Sequence, residues 1–385
     1  MTKISKIVRD IPRSGIRDFF EIVQTMDDVI SLGIGEPDFM TPWHIRQAAI
    51  VSLQQGHTSY TSNLGMPRLR MTIAKYVKEH FKVSYDGMSE VLVTVGVSEG
   101  IDLALRALIN PGDEVLYHEP CYVSYGPTIA LAGGVAKPVV TRKENDFRLD
   151  AKDIEAAVTP RTKILMLNFP TNPTGTTLSL QDLEAIADVC RRHDLMVVTD
   201  EIYSELTYDN AEHVSIVSLP EMRDRTVLLH GVSKAYAMTG WRIGFACAPR
   251  EITEAMMKIH QYSIMCAPTM GQEAAIEALE HGKESMLAMR EEYEIRRNYI
   301  SSVLNEIGLP CFCPRGAFYI FPDVSVTGLS GREFSLRLLK EKKVAVVPGE
   351  AFGASAGAHV RCSYASTMEK LKVALDRIVE FKAGC

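Results

Sequence analysis

The chain is organised around the segment Ser233-Lys234-Ala235-Tyr236-Ala237-Met238-Thr239-Gly240-Trp241-Arg242. Apolar runs at 226–230 and 242–248, before and after this segment, predict two buried strands. Lys234 would then lie in a loop between core strands, where burial lowers the pKa of an amine and makes it a nucleophile. Such a lysine can form a Schiff base with an aldehyde cofactor, and the forked, cationic Arg242 suits its phosphate. For an isolated pair, a surface lysine and a solvated arginine would be the simpler interpretation.

Length and composition restrict the class of protein. A chain of 385 residues favours two domains, and 46% hydrophobic with 23% charged residues is typical of a globular protein. The net charge of -6 argues against nucleic-acid binding. The N-terminus does not resemble a signal peptide, and no apolar run is long enough to cross a membrane. The eight scattered cysteines lack zinc-site spacing and predict buried thiols, so we expect a cytoplasmic protein without a metal.

Strand-like segments alternate with helical ones through the middle of the chain. The runs 91–95, 163–168 and 195–200 are mostly apolar; the first is followed by glycine, and the other two end in asparagine and aspartate. This pattern predicts a mainly parallel sheet with helices on both faces, which binds ligands at the carboxyl ends of its strands. Glycines at 96 and 100 turn the first of these strands into a helix whose N-terminus could bind phosphate, although the spacing is not that of a dinucleotide site.

Asp200 ends one of these apolar runs and has three interpretations. It could cap a helix, bind a metal ion, or pair with a pyridine nitrogen and keep that nitrogen protonated. Asn172, in the Asn-Pro-Thr-Gly run at 172–175, could simply make a local turn bond. Arg361 lies in an apolar alternation, where burial would require a partner such as a substrate carboxylate.

A long charged helix over about 284–306 is predicted to link two units of the chain. The strands and helices after it indicate a smaller α+β unit. We therefore expect an N-terminal arm with part of the small domain at 1–45, a large domain at 46–284 and a small C-terminal domain at 285–385.

Taken together, these motifs resemble the class I pyridoxal-phosphate aminotransferases of fold type I over nearly the whole chain. The resemblance implies an α/β fold with a mainly parallel, seven-stranded sheet in the large domain and a smaller α+β domain. It implies pyridoxal 5'-phosphate as cofactor, an amino acid and a 2-oxo acid as substrates, and Lys234 as the Schiff-base lysine and proton carrier. It implies a homodimer in which Tyr60 reaches the cofactor phosphate of the partner subunit.

The family motifs also imply roles for the remaining candidates. In the cofactor site, the phosphate would be bound by Val97, Ser98 and Arg242, and the ring would stack on Tyr122. The pyridine nitrogen would pair with Asp200, and the phenolic oxygen would contact Asn172 and Tyr203. Those that would contact the substrate are Gly35, Asn172, Arg361 and Ile16.

Three departures from the family pattern bear on the substrate. Gly231 replaces a phosphate-binding serine of some relatives, Ser98 replaces a lysine of aspartate-specific ones, and Ile16 is apolar near the position where those relatives have a hydroxyl. The segments 14–17 and 316–319 resemble a prokaryotic subgroup that includes broad and aromatic aminotransferases, so we expect a broad or aromatic amino donor. Aspartate aminotransferase and a carbon–sulfur lyase on the same scaffold remain alternatives. A cofactor-binding regulator and a nicotinamide dehydrogenase are more distant ones.

Overall fold

A seven-stranded sheet forms the centre of the residues that the computed structural model describes, which are 3–11 and 26–385. Its strands, in chain order, are β2 (Val91–Thr94), β3 (Glu114–Glu119), β4 (Val135–Val140), β5 (Thr162–Leu167), β6 (Met196–Asp200), β7 (Thr226–Gly231) and β8 (Gly244–Cys247). Their spatial order is β2-β8-β7-β6-β5-β3-β4. β8 runs antiparallel to both of its neighbours, and the other pairs are parallel. The predicted mainly parallel α/β sheet is confirmed.

Helices before, between and after these strands cover the sheet. They are α1 (Lys6–Asp10), α2 (Trp43–Gln54), α3 (Pro67–Phe81), α4 (Gly96–Leu108), α5 (Tyr125–Leu131), α6 (Ala151–Ala157), α7 (Leu180–Arg192), α8 (Arg250–Ser263) and α9 (Thr269–His281). α3 begins at a proline whose missing N–H would be unpaired there in any case, and Leu69, Ile73 and Val77 are its buried stripe. The inner strands of the sheet are buried, as their continuous apolar runs require, whereas the edge strand β4 is largely exposed.

The long helix α10 (Lys283–Glu306) leads from the sheet to the C-terminal elements, close to its predicted bounds. Two buried arginines on it form ion pairs with earlier loops, Arg296 with Asp38 at 2.8 Å and Arg297 with Asp209 at 2.7 Å. Both acids lie well before the helix in sequence, so these pairs attach it to distant loops.

Two small sheets form the rest of the structure. β1 (Ile30–Ser31) pairs in parallel with β10 (Val344–Ala345), while β11 (Val347–Pro348), β12 (Val360–Ser363) and β9 (Tyr319–Ile320) form an antiparallel sheet in that order. α11 (Gly331–Lys342) and α12 (Met368–Ala383) pack with these strands. The domain boundaries at 45 and 284 stay a prediction.

The predicted strand at 242–248 begins later than expected. β8 starts at Gly244 because Arg242 has a left-handed backbone, with φ 56°. The preceding residues Thr239–Trp241 form a 3-10 turn. Arg242 therefore belongs to the loop that contains Lys234. No helix within 3–11 or 26–385 is both long and apolar enough to cross a bilayer.

Candidate active site

A cavity of about 760 Å³ opens at the carboxyl ends of the parallel strands. Its walls bring together residues that are far apart in sequence. The predicted site residues that line it are Gly35, Val97, Ser98, Tyr122, Asn172, Asp200, Tyr203, Lys234, Arg242 and Arg361. Ten of the twelve candidates therefore share one cavity. Tyr60 and Ile16 are the other two.

Lys234 lies in the loop between β7 and β8, as predicted, and its side chain is half-buried. Its Nζ donates a hydrogen bond to the carbonyl oxygen of Gly35 at 2.7 Å and lies 5.8 Å from the centre of the Phe318 ring. Burial lowers the pKa of Lys234 to about 8, although the negative charge of Glu36 opposes the shift. Near neutral pH a far larger fraction of this amine than of an ordinary lysine is therefore neutral and nucleophilic.

Gly231, at the end of β7, has no room for a side chain. A Cβ atom there would lie 2.9 Å from the carbonyl oxygen of Ile243 and 3.0 Å from the Cα of Gly244. Both distances are tighter than ordinary van der Waals contact, and they involve backbone that cannot move independently of the sheet. The close pairing of β7 with β8 therefore leaves room only for glycine at this position.

Asp200 ends β6 and is buried. Its Oδ2 accepts a hydrogen bond from the hydroxyl of Tyr125 at 2.8 Å, and its Oδ1 accepts one from the N–H of Ile202 at 3.2 Å. Burial raises the pKa of Asp200 to about 6, while these two hydrogen bonds act in the opposite direction. A carboxylate in such surroundings is stabilised by a cation that enters the cavity beside it.

Two asparagines connect Asp200 to the substrate side of the cavity. Asn168, directly after β5, donates from Nδ2 to the carbonyl oxygen of Asp200 at 2.8 Å, and its Oδ1 accepts from the N–H of Asn172 at 3.3 Å. The Oδ1 of Asn172 in turn accepts a hydrogen bond from Arg361 Nη1 at 2.9 Å. The orientation of the Asn172 amide is therefore fixed with its acceptor towards the arginine.

Arg361 is a buried cation on β12. Its Nη2 donates to the carbonyl oxygen of Gly33 at 2.6 Å, and the rings of Tyr319 and Phe352 lie 4.4 and 4.8 Å from its guanidinium carbon. Its Nε has no hydrogen-bond partner among the residues that the structure describes. A buried guanidinium with an unused donor beside a cavity is suited to bind a carboxylate.

Val97 and Ser98 lie in the first turn of α4, where backbone N–H groups are not used by the helix itself. Gly96 has φ +72°, and a Cβ atom on it would collide with the guanidinium of Arg242. Arg242 donates from Nη1 to the carbonyl oxygen of Thr239 at 3.0 Å and is exposed towards the cavity. A helix N-terminus beside an arginine is a favourable environment for a phosphate.

The aromatic candidates differ in their placement. Tyr203 is buried, and its hydroxyl lies 3.0 Å from that of Tyr319. Tyr122 is half-buried and lines the cavity. Tyr60 is 81% exposed and is not among the described residues of the cavity wall. Ile16 lies outside the described residues.

Sequence reasoning missed three residues that contact the predicted ones. Asn168 could have been found, because it ends an apolar strand in the same way as Asp200. Tyr125 on α5 and Tyr319 on β9 gave no such signal, because nothing in the sequence relates them to their partners Asp200 and Tyr203.

Comparisons with known proteins agree with this arrangement. The sequence profile described as aminotransferase class I and II matches residues 27–378. An aspartate aminotransferase of Pyrococcus abyssi is 47% identical over 95% of this chain and 94% of its own length. The aromatic-amino-acid aminotransferase 2 of Thermococcus litoralis is 45% identical with the same shares covered. The crystal structure titled Pyrococcus protein-A1 superposes with a TM-score of 0.97 at 44% identity, over 98% of each chain.

Proposed function

The chain belongs to the class I and II aminotransferases. We propose that it binds pyridoxal 5'-phosphate and that it either accepts a broad range of amino donors or prefers aromatic ones. It catalyses transamination between an amino acid and a 2-oxo acid. We propose 2-oxoglutarate as one such oxo acid. One observation carries the proposed site: a single cavity joins the amine of Lys234, the buried carboxylate of Asp200 and the incompletely bonded guanidinium of Arg361.

The residues of the cavity fit this cofactor in their chemistry. Asp200 would pair with its pyridine nitrogen, Tyr203 and Asn172 would contact its phenolic oxygen, and Tyr122 would stack on its ring. Its phosphate would bind at the N–H groups of Val97 and Ser98, beside Arg242. When bound, the cofactor supplies an aldehyde carbon that accepts amines and a ring that withdraws electrons from the α-carbon of the substrate.

Three residues of the chain would then perform the remaining steps. Arg361 binds the α-carboxylate of the amino acid through its guanidinium and so orients its Cα–H bond towards Lys234. The neutral Nζ of Lys234 takes the proton from Cα, and in the reverse half-reaction it returns a proton to Cα of the new amino acid. Asp200 keeps its negative charge beside the pyridine nitrogen and so retains a proton there.

The substrate preference is supported by the charges that face the cavity. Among its described lining residues the cationic side chains are Lys234, Arg242 and Arg361, and each already has a role in the proposed site. Glu36 adds a negative charge, whereas Ile34 and Ile101 add apolar surface. These surroundings disfavour a second carboxylate on the substrate and favour an apolar or aromatic side chain.

Steady-state kinetics with single L-amino acids and 2-oxoglutarate tests the proposal. We expect kcat/KM for phenylalanine or tyrosine to be at least comparable with that for aspartate. High activity with aspartate and none with the aromatic donors would overturn the donor preference while leaving transamination intact. Release of pyruvate and ammonia without a requirement for an oxo acid would instead indicate a lyase.

We also propose a homodimer, because the exposed Tyr60 has no contact with the cavity of its own subunit although it matches a phosphate-binding position of the family. A cytoplasmic location is supported by the cysteines, all eight of which are free thiols.

A further inference from the structure

A buried acid–imidazole pair lies directly behind the proposed phosphate site. Glu99, in the first turn of α4, accepts a hydrogen bond from the Nδ1 of His260 on α8 at 2.7 Å. The side chain of His260 is fully buried and that of Glu99 is 11% exposed. Neither residue lines the cavity, and neither has a role in the transamination steps above.

The second oxygen of the Glu99 carboxylate holds the backbone that leads into the phosphate site. Glu99 Oε2 accepts a hydrogen bond from the N–H of Val95 at 2.5 Å. On the other side of the same residue, Arg242 Nη2 lies 3.5 Å from the carbonyl oxygen of Val95. The short stretch from Gly96 to Ser98 is therefore anchored at its start by side chains and at its end by the helix.

These anchors hold a backbone conformation that residues other than glycine rarely adopt. Gly96 has φ +72°, a backbone that turns the strand sharply into the helix. Its carbonyl oxygen accepts a hydrogen bond from Thr94 Oγ1 at 2.9 Å, which fixes the orientation of the next peptide. This peptide contains the N–H of Val97, one of the groups that would face the phosphate.

A simple helix-capping role does not account for the pair. A glutamate in the first turn of a helix is common and needs no partner. Here the carboxylate is bonded to an imidazole from another helix, 161 positions away in sequence. The Nε2 of this imidazole has no partner among the described residues. Burying such a pair carries a desolvation cost that two apolar side chains would avoid, so packing alone does not explain it.

We propose that Glu99 and His260 are positioning residues for the cofactor phosphate. His260 directs the carboxylate of Glu99 onto the N–H of Val95, and Glu99 in turn holds the backbone of Gly96–Ser98 in the conformation that presents its N–H groups to the phosphate. This inference rests on the proposed function, because it concerns the phosphate group of the proposed cofactor.

Comparing pyridoxal phosphate with pyridoxal allows a direct test. Pyridoxal has the same aldehyde and ring but lacks the phosphate. Absorbance titration of the cofactor-free full chain gives a dissociation constant for each compound. In Glu99→Ala we expect the constant for pyridoxal phosphate to rise about tenfold, as for the loss of a hydrogen bond to a charged group. The constant for pyridoxal should stay within about twofold of the unaltered protein, because its binding does not use the phosphate site.

Variants of His260 and a control complete the experiment. His260→Leu removes the donor and should lose part of the preference for pyridoxal phosphate, whereas His260→Asn keeps a donor near Nδ1 and should retain it. Asp102→Asn breaks an ion pair with Arg106 on the same helix, 3.0 Å long, and should change neither constant. If thermal melting shows that Glu99→Ala is not folded, Glu99→Gln replaces it. We then expect a smaller loss of the preference for pyridoxal phosphate.

The outcomes separate this inference from the function on which it rests. An unaltered protein that binds the two compounds equally would contradict the proposed phosphate site itself. An unaltered protein that prefers pyridoxal phosphate, with Glu99 variants that keep the full preference, would overturn only the role of Glu99 and His260. Equal weakening of both compounds would show a general structural role and would also overturn it.

Discussion

The hydroxyl groups of Tyr203 and Tyr319 lie 3.0 Å apart, although 116 positions separate the two residues. The ring of Tyr319 also lies 4.4 Å from the guanidinium carbon of Arg361. One side chain thus contacts both the tyrosine proposed to bind the cofactor and the arginine proposed to bind the substrate. Tyr319 therefore contacts Tyr203 through its hydroxyl and Arg361 through its ring. Substitutions can remove the hydroxyl alone or the whole ring.

Tyr319→Phe should lower kcat about fivefold and leave KM for both acids nearly unchanged, because it removes one hydrogen bond that orients the Tyr203 hydroxyl and keeps the ring beside Arg361. Tyr319→Leu also removes the ring and should raise KM. Steady-state kinetics of both variants measure the difference, with Tyr262→Phe as control because Tyr262 is 87% exposed. Equal kinetics for Tyr319→Phe and the unaltered protein would exclude a role for the hydroxyl.

Lys234 gives a prediction for pH. Because burial lowers its pKa to about 8, the neutral amine accumulates as the pH rises through this value. The rate at which the cofactor-free protein captures pyridoxal phosphate should therefore rise with a midpoint near pH 8 and then level off. A midpoint near 10.5, the ordinary value for lysine, would show that the amine is not desolvated.

The same shift predicts a cost in stability. Between pH 8 and 10.5 the unfolded chain binds more protons at Lys234 than the folded one, so this lysine destabilises the cofactor-free protein progressively as the pH falls through that range. Lys234→Met should raise the melting temperature at pH 7 and lose this advantage above pH 11. A variant that melts at or below the unaltered protein at pH 7 would contradict the shift.

Arg361→Lys should lower kcat/KM for amino and oxo acids by on the order of 100-fold, because an ammonium group keeps the charge but cannot make two parallel hydrogen bonds to a carboxylate. Cofactor binding, followed by absorbance, should be unaffected. Arg332→Lys is the matched control, since Arg332 forms an exposed ion pair with Glu350 at 3.1 Å. If Arg361→Lys changed kcat/KM no more than the control does, the proposed role of Arg361 in binding the substrate would be contradicted.

Mixed dimers test whether Tyr60 acts in the partner subunit. In a dimer of one Tyr60→Phe and one Lys234→Ala subunit, one site would lack both groups and the other would be complete. Refolding the two variants together should therefore restore about a quarter of the original sites when the subunits assort at random. The assay uses a cofactor concentration at which Tyr60→Phe alone remains mostly unloaded. Activity equal to the sum of the separate variants would contradict a shared site.

Much of this fold and site could be predicted because buried parallel strands are continuous apolar runs with polar residues at their ends. Asp200 and Lys234 stand out for this reason, and both line the cavity. Tyr125, the donor to Asp200, comes from a helix 75 positions earlier, and only tertiary packing brings the two together. The left-handed backbone of Arg242 was also missed, because apolar neighbours at 243–248 continue the strand pattern through it.

An absorbance spectrum tests the central claim, that Lys234 and its cavity carry the cofactor for transamination. The purified protein with pyridoxal phosphate should show a visible band that bleaches when an L-amino acid is added and returns with 2-oxoglutarate. Lys234→Ala should lack this band at the same cofactor concentration. A visible band that is identical in Lys234→Ala, or no band in the unaltered protein after cofactor is added, would contradict the assignment of Lys234.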